Sequence, residues 1–383
     1  MKRKLISFAG TDKGLYIVIL ERYKTKIFPS PLPKPIPSLI KRLFGSKTAL
    51  KDFDFSKVSS VLLRPGGGVG DAVIFTASLR SLKQAYKNIK IGVIADARDG
   101  AVFNANPDID VKIKHSFWSY LKNRKKWDVF IDALPFFNEQ NIFYDALLSP
   151  KYKIAFQKKG DDYYFKKNFR DYDYYVSFDS KVHYNKILTL TPFKPFVENA
   201  EPKYFLQADK KLASYFDAKW EKNKIRILFN SSGTTRTVNE KEFKFLIGEI
   251  GSRFSGKVDL LMLNNRRNRK YFNLDGIKVS QPLSLEGFIA LTSTADIIIT
   301  ADTSLVHMAC AFNKRLISFF ANSPETAVWS ALNDAKYKVM TPQSKSETFD
   351  DIKDLKGFDM DAVLRYVKEF IGELENLRAE KHL

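Results

Sequence analysis

Three stretches of this sequence gather side chains that could do chemistry. The first is Arg64-Pro-Gly-Gly-Gly-Val-Gly-Asp71, between a β-rich run over 58–63 and a helical pattern over 71–87. Glycines in such a turn let the backbone approach a ligand, and the helix start offers unpaired N–H groups to an anion. Asp71 falls in the first helical turn, where the helix dipole stabilises a carboxylate. It reads either as a helix cap or as a general base. The second stretch is Ile297-Ile-Ile-Thr-Ala-Asp-Thr-Ser-Leu-Val-His-Met-Ala-Cys310. Asp302, Thr303 and Ser304 stand where a helix should begin, so two hydroxyls and free backbone amides form a phosphate cradle. His307 follows one turn later. The third is Asn230-Ser231-Ser232-Gly233-Thr234-Thr235-Arg236, a polar loop after an apolar run. Its arginine would supply a permanent charge to a diphosphate, or the stretch is an ordinary polar β–α loop.

The elements needed to position these residues are α/β. Strands are expected over 58–63, 91–95 and 129–133, then over 225–229, 258–263, 297–300 and 316–320. Helices are expected over 71–87, 239–251, 284–292 and 303–312. A final amphipathic helix, capped by Asp359, carries Val363, Val367, Phe370, Ile371 and Leu374 as its apolar stripe. Two α/β units follow, joined by a segment over 191–223 that holds Pro192, Pro195 and Pro202. Each site would then sit at the carboxyl end of a strand, where open α/β sheets bind ligands.

Composition narrows the classes. The chain has 383 residues with 63 Lys and Arg against 43 Asp and Glu, a formal charge of +20. That surplus favours an anionic partner. A single cysteine, Cys310, excludes an intramolecular disulfide framework, and four histidines exclude a His-rich metal site. No apolar run approaches the ~18 residues of a membrane span. The apolar stretch after Met1-Lys-Arg-Lys is too short for a signal peptide. The expectation is a cytoplasmic protein in a reducing compartment, with at most peripheral membrane contact. Residues 1–56 hold twelve Lys and Arg against four Asp and Glu, and five alternating prolines over 29–37. Within them, 38–45 could lie on an anionic membrane surface, or the extension could simply pack on the main body. Residues 151–184 interleave seven tyrosines with basic residues that include Lys166, Lys167 and Arg170. Such a stretch binds nucleic acid or sugar phosphates, or is simply a solvated strand and loop.

In order and separation, the first two stretches resemble the bacterial heptosyltransferases, glycosyltransferase family 9, which build the lipopolysaccharide core. The N-terminal pattern R-x-x-x-x-G-D, followed by T-P-A-L, is matched by Arg64 to Asp71 and Thr76-Ala-Ser-Leu79. The C-terminal signature D-T-G-x-x-H-x-A-A is matched by Asp302-Thr-Ser-Leu-Val-His-Met-Ala-Cys310. Arg236-Thr-Val-Asn239 stands for the phosphate-binding K-x-W-P segment. Ser304 replaces a glycine, Arg236 a lysine, and Asn264-Asn265 stand where the family often has G-G-x-x-D/E.

The resemblance implies a GT-B fold: two Rossmann-like domains facing a cleft, here with a basic N-terminal extension. The divisions would be an extension over 1–56, an acceptor domain over 57–205 and a nucleotide-sugar domain over 206–345. A helical tail over 346–383 would pack back on the N-terminal domain. It also implies an inverting, metal-independent transfer of heptose from ADP-heptose to a phosphorylated lipid-linked core, at the cytoplasmic face of the inner membrane. Asp71 is the base in that reading. Ser231, Ser232, Thr234, Thr235, Arg236, Thr303 and Ser304 hold the diphosphate. Asp302 bonds to sugar hydroxyls, and His307 orients Asp302 or touches the sugar phosphate. Arg64, Gly68, Gly70, Lys166, Lys167 and Arg170 meet the acceptor. No cofactor beyond the donor is implied. Two other classes stay open: a nicotinamide-dependent oxidoreductase using the glycine turn with Asp96, and a nucleic-acid-binding module using 151–184. For the latter, no helix-turn-helix, zinc-finger or RNP pattern is present. Another nucleotide-sugar is the alternative donor.

Overall fold

The structure is a computed structural model that describes residues 52–96, 99–135, 139–156, 172–176, 182–233, 236–324, 326–332, 334–342 and 354–380. The proline run, the 38–45 segment, Thr234, Thr235, Lys166, Lys167 and Arg170 lie outside the described residues.

Strand β1 (Ser60–Arg64) is buried throughout, as a Val-Leu-Leu run covered on both faces must be. The glycine turn follows, then helix α1 (Val69–Ala85). Eight consecutive residues of α1, Ala72 to Leu79, are buried, so the helix is enclosed rather than amphipathic. Next come β2 (Lys90–Ala95), β3 (Val111–Lys114), α2 (Phe117–Lys122), β4 (Val129–Asp132), α3 (Glu139–Leu148), β5 (Tyr152–Phe156) and β6 (Tyr174–Val176). These strands form one sheet in the order β3-β2-β1-β4-β5-β6. The pairs β1 with β4, β4 with β5 and β5 with β6 are parallel.

After helix α4 (Lys210–Asp217) a second sheet begins with β7 (Ile225–Asn230). Then follow β8 (Thr237–Val238), α5 (Glu240–Arg253), β9 (Val258–Met262), β10 (Ile277–Val279), α6 (Leu285–Thr294), β11 (Ile297–Ala301), α7 (Ser304–Ala311), β12 (Arg315–Phe319), β13 (Tyr337–Met340), β14 (Asp354–Leu355) and α8 (Met360–Glu380). The second sheet is β10-β9-β7-β11-β12-β13, and every pair in it is parallel. Counted within each sheet, both orders are 3-2-1-4-5-6, the doubly wound Rossmann arrangement. Its ligand crevice opens where the order reverses, between first and fourth strands. In the second sheet those strands are β7 and β11. Ser231 to Gly233 follow β7, and Asp302 and Thr303 join β11 to the start of α7 at Ser304.

The chain divides into two compact units. One takes residues up to Arg64 with Ile113–Phe178, and the other takes Pro65–Lys112 with Asp179–Leu383. The glycine turn beyond Arg64, with Asp71 and α1, therefore belongs to the same unit as the second sheet.

The last helix corrects an expectation. Val363, Val367, Phe370 and Ile371 of α8 share a buried core with Ile227, Phe229, Ile299 and Phe319 of the second sheet. The Ala362 amide donates to Asp359 Oδ1 at 2.9 Å, which fixes the helix start. Arg378 donates to Asp296 at 3.1 Å and to the Asn223 carbonyl near its end. The tail is thus built on the second sheet and not on the first, because its apolar stripe completes that sheet's core. Among the described residues no helix is long and apolar enough to cross a membrane.

Candidate active site

Helix α1 starts at Gly68, whose N–H donates to Asp71 Oδ2 at 3.0 Å. Asp71 thereby occupies the anion position that the glycine turn creates. A pyrophosphate would have to displace it, which argues against the nicotinamide reading. Asp71 Oδ1 takes no hydrogen bond among the described residues. Burial pushes the Asp71 carboxyl up to about 6, with the neighbouring Asp302 adding to the rise and the Gly68 amide opposing it. Such a carboxylate is mostly ionised at neutral pH yet basic enough to accept a proton.

The start of α1 meets the start of α7 closely. A Cβ on Gly70 would stand 3.1 Å from His307 Cδ2 and 3.3 Å from Ser304 Cα. Only glycine lets the two helices approach this far without a shift. The residues from two distant segments of sequence are therefore neighbours: Asp71, Ser304 and His307 lie around one helix–helix contact.

Helix α7 is capped by Thr303, whose Oγ1 accepts the Leu305 N–H at 3.2 Å and bonds to Thr300 Oγ1 at 3.2 Å. Ser304 opens the helix half-buried, and its hydroxyl has no partner among the described residues. Asp302, just before the cap, is ion-paired with Arg236. Burial raises the Asp302 carboxyl above its ordinary range, and the Arg236 charge offsets part of that rise. Gly233 brings the 231–236 loop against the same turn: a Cβ there would meet Thr303 Cγ2 at 2.9 Å and the Asp302 carbonyl at 3.0 Å.

Several expected roles change. Arg236 is 5% exposed and is paired with Asp302, so it positions that carboxylate. His307 does not orient Asp302. It is buried, packed on Gly70 and edge-on to Tyr204 at 6.2 Å, and Arg236 performs the orienting task. Burial, with His183 adding to it, pushes the His307 imidazole down to about 3, so it is neutral at physiological pH. Ser231 is 0% exposed and donates to Asn268 Oδ1 at 2.7 Å. Ser232 is also buried, directed at the same oxygen. Both hydroxyls shape the loop from inside rather than facing a ligand.

Arg64 is the largest correction. It was expected to meet the acceptor, but it is 3% exposed. Its Nε donates to Asp132 Oδ1 at 2.9 Å, and its terminal nitrogens reach Asp132 and Asp145 at 2.7 Å. Tyr172 donates to Asp145 at 2.7 Å from the other side. The parallel register sets Arg64 opposite Asp132, so the guanidinium ties strand ends together. Gly68 and Gly70 likewise serve local geometry, the first through its amide to Asp71 and the second through helix approach.

Sequence reading noted Asn264 and Asn265 after β9 only as a departure from a motif and missed what the segment does. Asn268 donates to Asn230 Oδ1 at 3.1 Å and to the Leu263 carbonyl at 2.8 Å, and Asn265 donates to Asn230 at 3.0 Å. Arg267 donates to the Gly233 carbonyl at 2.6 Å. Together they brace the loop that carries Arg236. The signal was available: Asn264-Asn-Arg-Arg-Asn268 follows a strand adjacent to β7.

These features combine a desolvated carboxylate with the start of a helix and a carboxylate–guanidinium pair. A carboxylate of this kind is chemically able to accept a hydroxyl proton, and a helix start offers amide donors to an anion. Two Rossmann-like sheets of this strand order are the architecture of GT-B glycosyltransferases. Residues 195–358 match the model of glycosyltransferase family 9 (heptosyltransferase). A curated relative from Escherichia coli (strain K12), provisionally named lipopolysaccharide heptosyltransferase 4, is 34% identical over 59 residues. That stretch spans 14% of this chain and 16% of the relative. The fold is similar to that of a family 9 glycosyl transferase from Veillonella parvula DSM 2008, with a TM-score of 0.65 and 14% identity over 85% of this chain and all of the other. It is also similar to E. coli ADP-heptose lps heptosyltransferase II (TM-score 0.62, 15% identity, 82% of this chain and 99% of the other). A third is E. coli heptosyltransferase WaaC with ADP (TM-score 0.59, 15% identity, 81% and 99%).

Proposed function

We propose that the chain is an inverting glycosyltransferase that moves heptose from ADP-heptose to a lipopolysaccharide core acceptor. The observation that carries this reading is Asp71: a carboxylate raised to about 6, with one oxygen fixed by Gly68 and the other unpartnered among the described residues. Single displacement at an anomeric carbon needs such a base on the acceptor hydroxyl. It also needs stabilisation of the departing diphosphate. In this reading the α7 start, with Ser304, and the Arg236–Asp302 pair supply the second requirement. Arg236 would then divide its donors between Asp302 and the diphosphate. Because protein donors neutralise the leaving group, the reaction runs without a metal, and chelation by EDTA leaves the rate unchanged.

The donor is the part of the proposal most open to a direct test. The chain is incubated with ADP-heptose, UDP-sugars and GDP-sugars in separate reactions, and nucleoside diphosphate release is measured with a soluble core oligosaccharide as acceptor. ADP release dependent on both substrates, with an inverted anomeric configuration in the product by NMR, is the expected result. Release from a UDP- or GDP-sugar alone would replace ADP-heptose as donor. Retention of configuration would remove Asp71 as base in a single displacement.

A further inference from the structure

Helix α2 carries its exposed face differently from an ordinary surface helix. Trp118 is 74% exposed and Leu121 39% exposed, while Tyr120 on the opposite side is buried. Trp118, Leu121 and Lys122 stand at three- and four-residue spacing and share that outward face. The tryptophan is not loosely mounted. Its ring meets Phe117 edge-on at 5.1 Å, and Phe117 stacks with Phe143 of α3 at 5.9 Å. Tyr120 stacks with Tyr144 at 4.6 Å on the inner side.

Charge along this stretch of the chain has one sign. Residues 113–127 hold Lys114, Lys122, Arg124, Lys125 and Lys126 and no Asp or Glu. Lys122, Lys125 and Lys126 are exposed and have no ion-pair partner among the described residues. Lys125 and Lys126 lie in the turn that closes the helix, and the Lys125 amide is tied to the Leu148 carbonyl at 2.8 Å. Apolar area on the outward face is on the order of 250 Å². A stable protein partner needs about 800 Å² on each side. An exposed tryptophan framed by unpaired lysines instead matches the interfacial region of an anionic bilayer. There the indole sits at headgroup level, and each cation gains from the negative surface potential.

We infer that α2 and the turn after it form a membrane-docking surface, with Trp118 and Leu121 entering the headgroup region of an anionic lipid bilayer and Lys122, Lys125 and Lys126 pairing with its phosphates. The surface gives the lipid-linked acceptor of the proposed reaction a place to be met, but it stands without that reaction. Binding of the full chain is measured by co-sedimentation with phosphatidylcholine vesicles with and without phosphatidylglycerol, at physiological salt. The wild type binds the anionic vesicles, with a blue shift in tryptophan emission, and not the neutral ones. Trp118→Ala weakens that binding on the order of tenfold and removes the shift. The triple variant K122Q/K125Q/K126Q weakens it on the order of 100-fold. ADP release with a soluble acceptor stays at the wild-type rate in both, which separates this surface from the proposed active site. Variants that bind anionic vesicles as the wild type does would overturn the inference. So would a wild type indifferent to phosphatidylglycerol, or light scattering in which Trp118→Ala turns a dimer into a monomer.

Discussion

Replacing Asp71 with Asn should make the protein more stable while stopping its reaction. The Asp71 carboxyl is raised from its ordinary 3.8 to about 6 by burial. An acid with a raised folded-state pKa binds its proton more tightly when folded. Its contribution to stability is present below about pH 4 and is lost as pH rises through about 6. At about pH 8 the ionised group therefore works against folding. Each pKa unit corresponds to about 1.4 kcal/mol, which puts the penalty at no more than about 3 kcal/mol. Asp71 is half-buried, so solvent screening reduces this to about 1–3 kcal/mol. Asparagine keeps an oxygen for the Gly68 amide and carries no charge. For a unit of this size, about 2–4 °C of melting temperature accompanies each kcal/mol. The assay is thermal melting of wild type and Asp71→Asn at about pH 8 and about pH 4. We expect the variant to melt about 3–8 °C higher at the upper pH and to match the wild type at the lower. A variant no more stable at about pH 8, or equally stabilised at both, would refute the desolvation argument.

Three further outcomes follow from the geometry. Arg64→Met leaves two buried carboxylates without their cation. It should cost about 3–5 kcal/mol in urea unfolding, with part regained at low pH where Asp145 takes up a proton. Gly70→Ala places a methyl 3.1 Å from His307 and 3.3 Å from the Ser304 backbone, so α1 and α7 must separate. It should cost about 1–3 kcal/mol and lower kcat at least about tenfold, by the misplacement of Asp71. Arg236→Ala strands the Asp302 carboxylate and should weaken donor binding by calorimetry, with a larger loss at about pH 8 than at about pH 5, since protonation of Asp302 relieves the unpaired charge.

Much of the second sheet was readable because buried parallel strands are written as unbroken apolar runs. Ile297–Ala301 and Ile225–Asn230 differ from the expected spans by one residue at the carboxyl end. Edge strands escaped. β3 reads Val-Lys-Ile-Lys and β10 reads Ile-Lys-Val, too short and too polar to stand out from loops. The candidate residues stood out by local signals, but their partners did not. Arg64 meets Asp132 and Asp145, 68 and 81 positions away, through strand register and burial. A motif displays the arginine and hides the carboxylates that consume it. Arg236 and Asp302 were each singled out, yet their pairing depends on β7 and β11 lying side by side, which only topology supplies. The glycine at 70 was legible as part of a turn. Its use, as the place where α1 passes α7, required the helix contact to be seen.

The central claim is that Asp71 removes the acceptor proton, and the pH dependence of kcat/KM tests it most directly. With ADP-heptose and a soluble core acceptor, the profile should fall on the acid side with unit slope around a midpoint of about 6, because the base must be ionised. Asp71→Asn should lower kcat/KM by ~10²-fold or more and erase that limb. An acid limb centred near the ordinary carboxylate value, or an Asp71→Asn variant within about tenfold of wild type, would contradict the account.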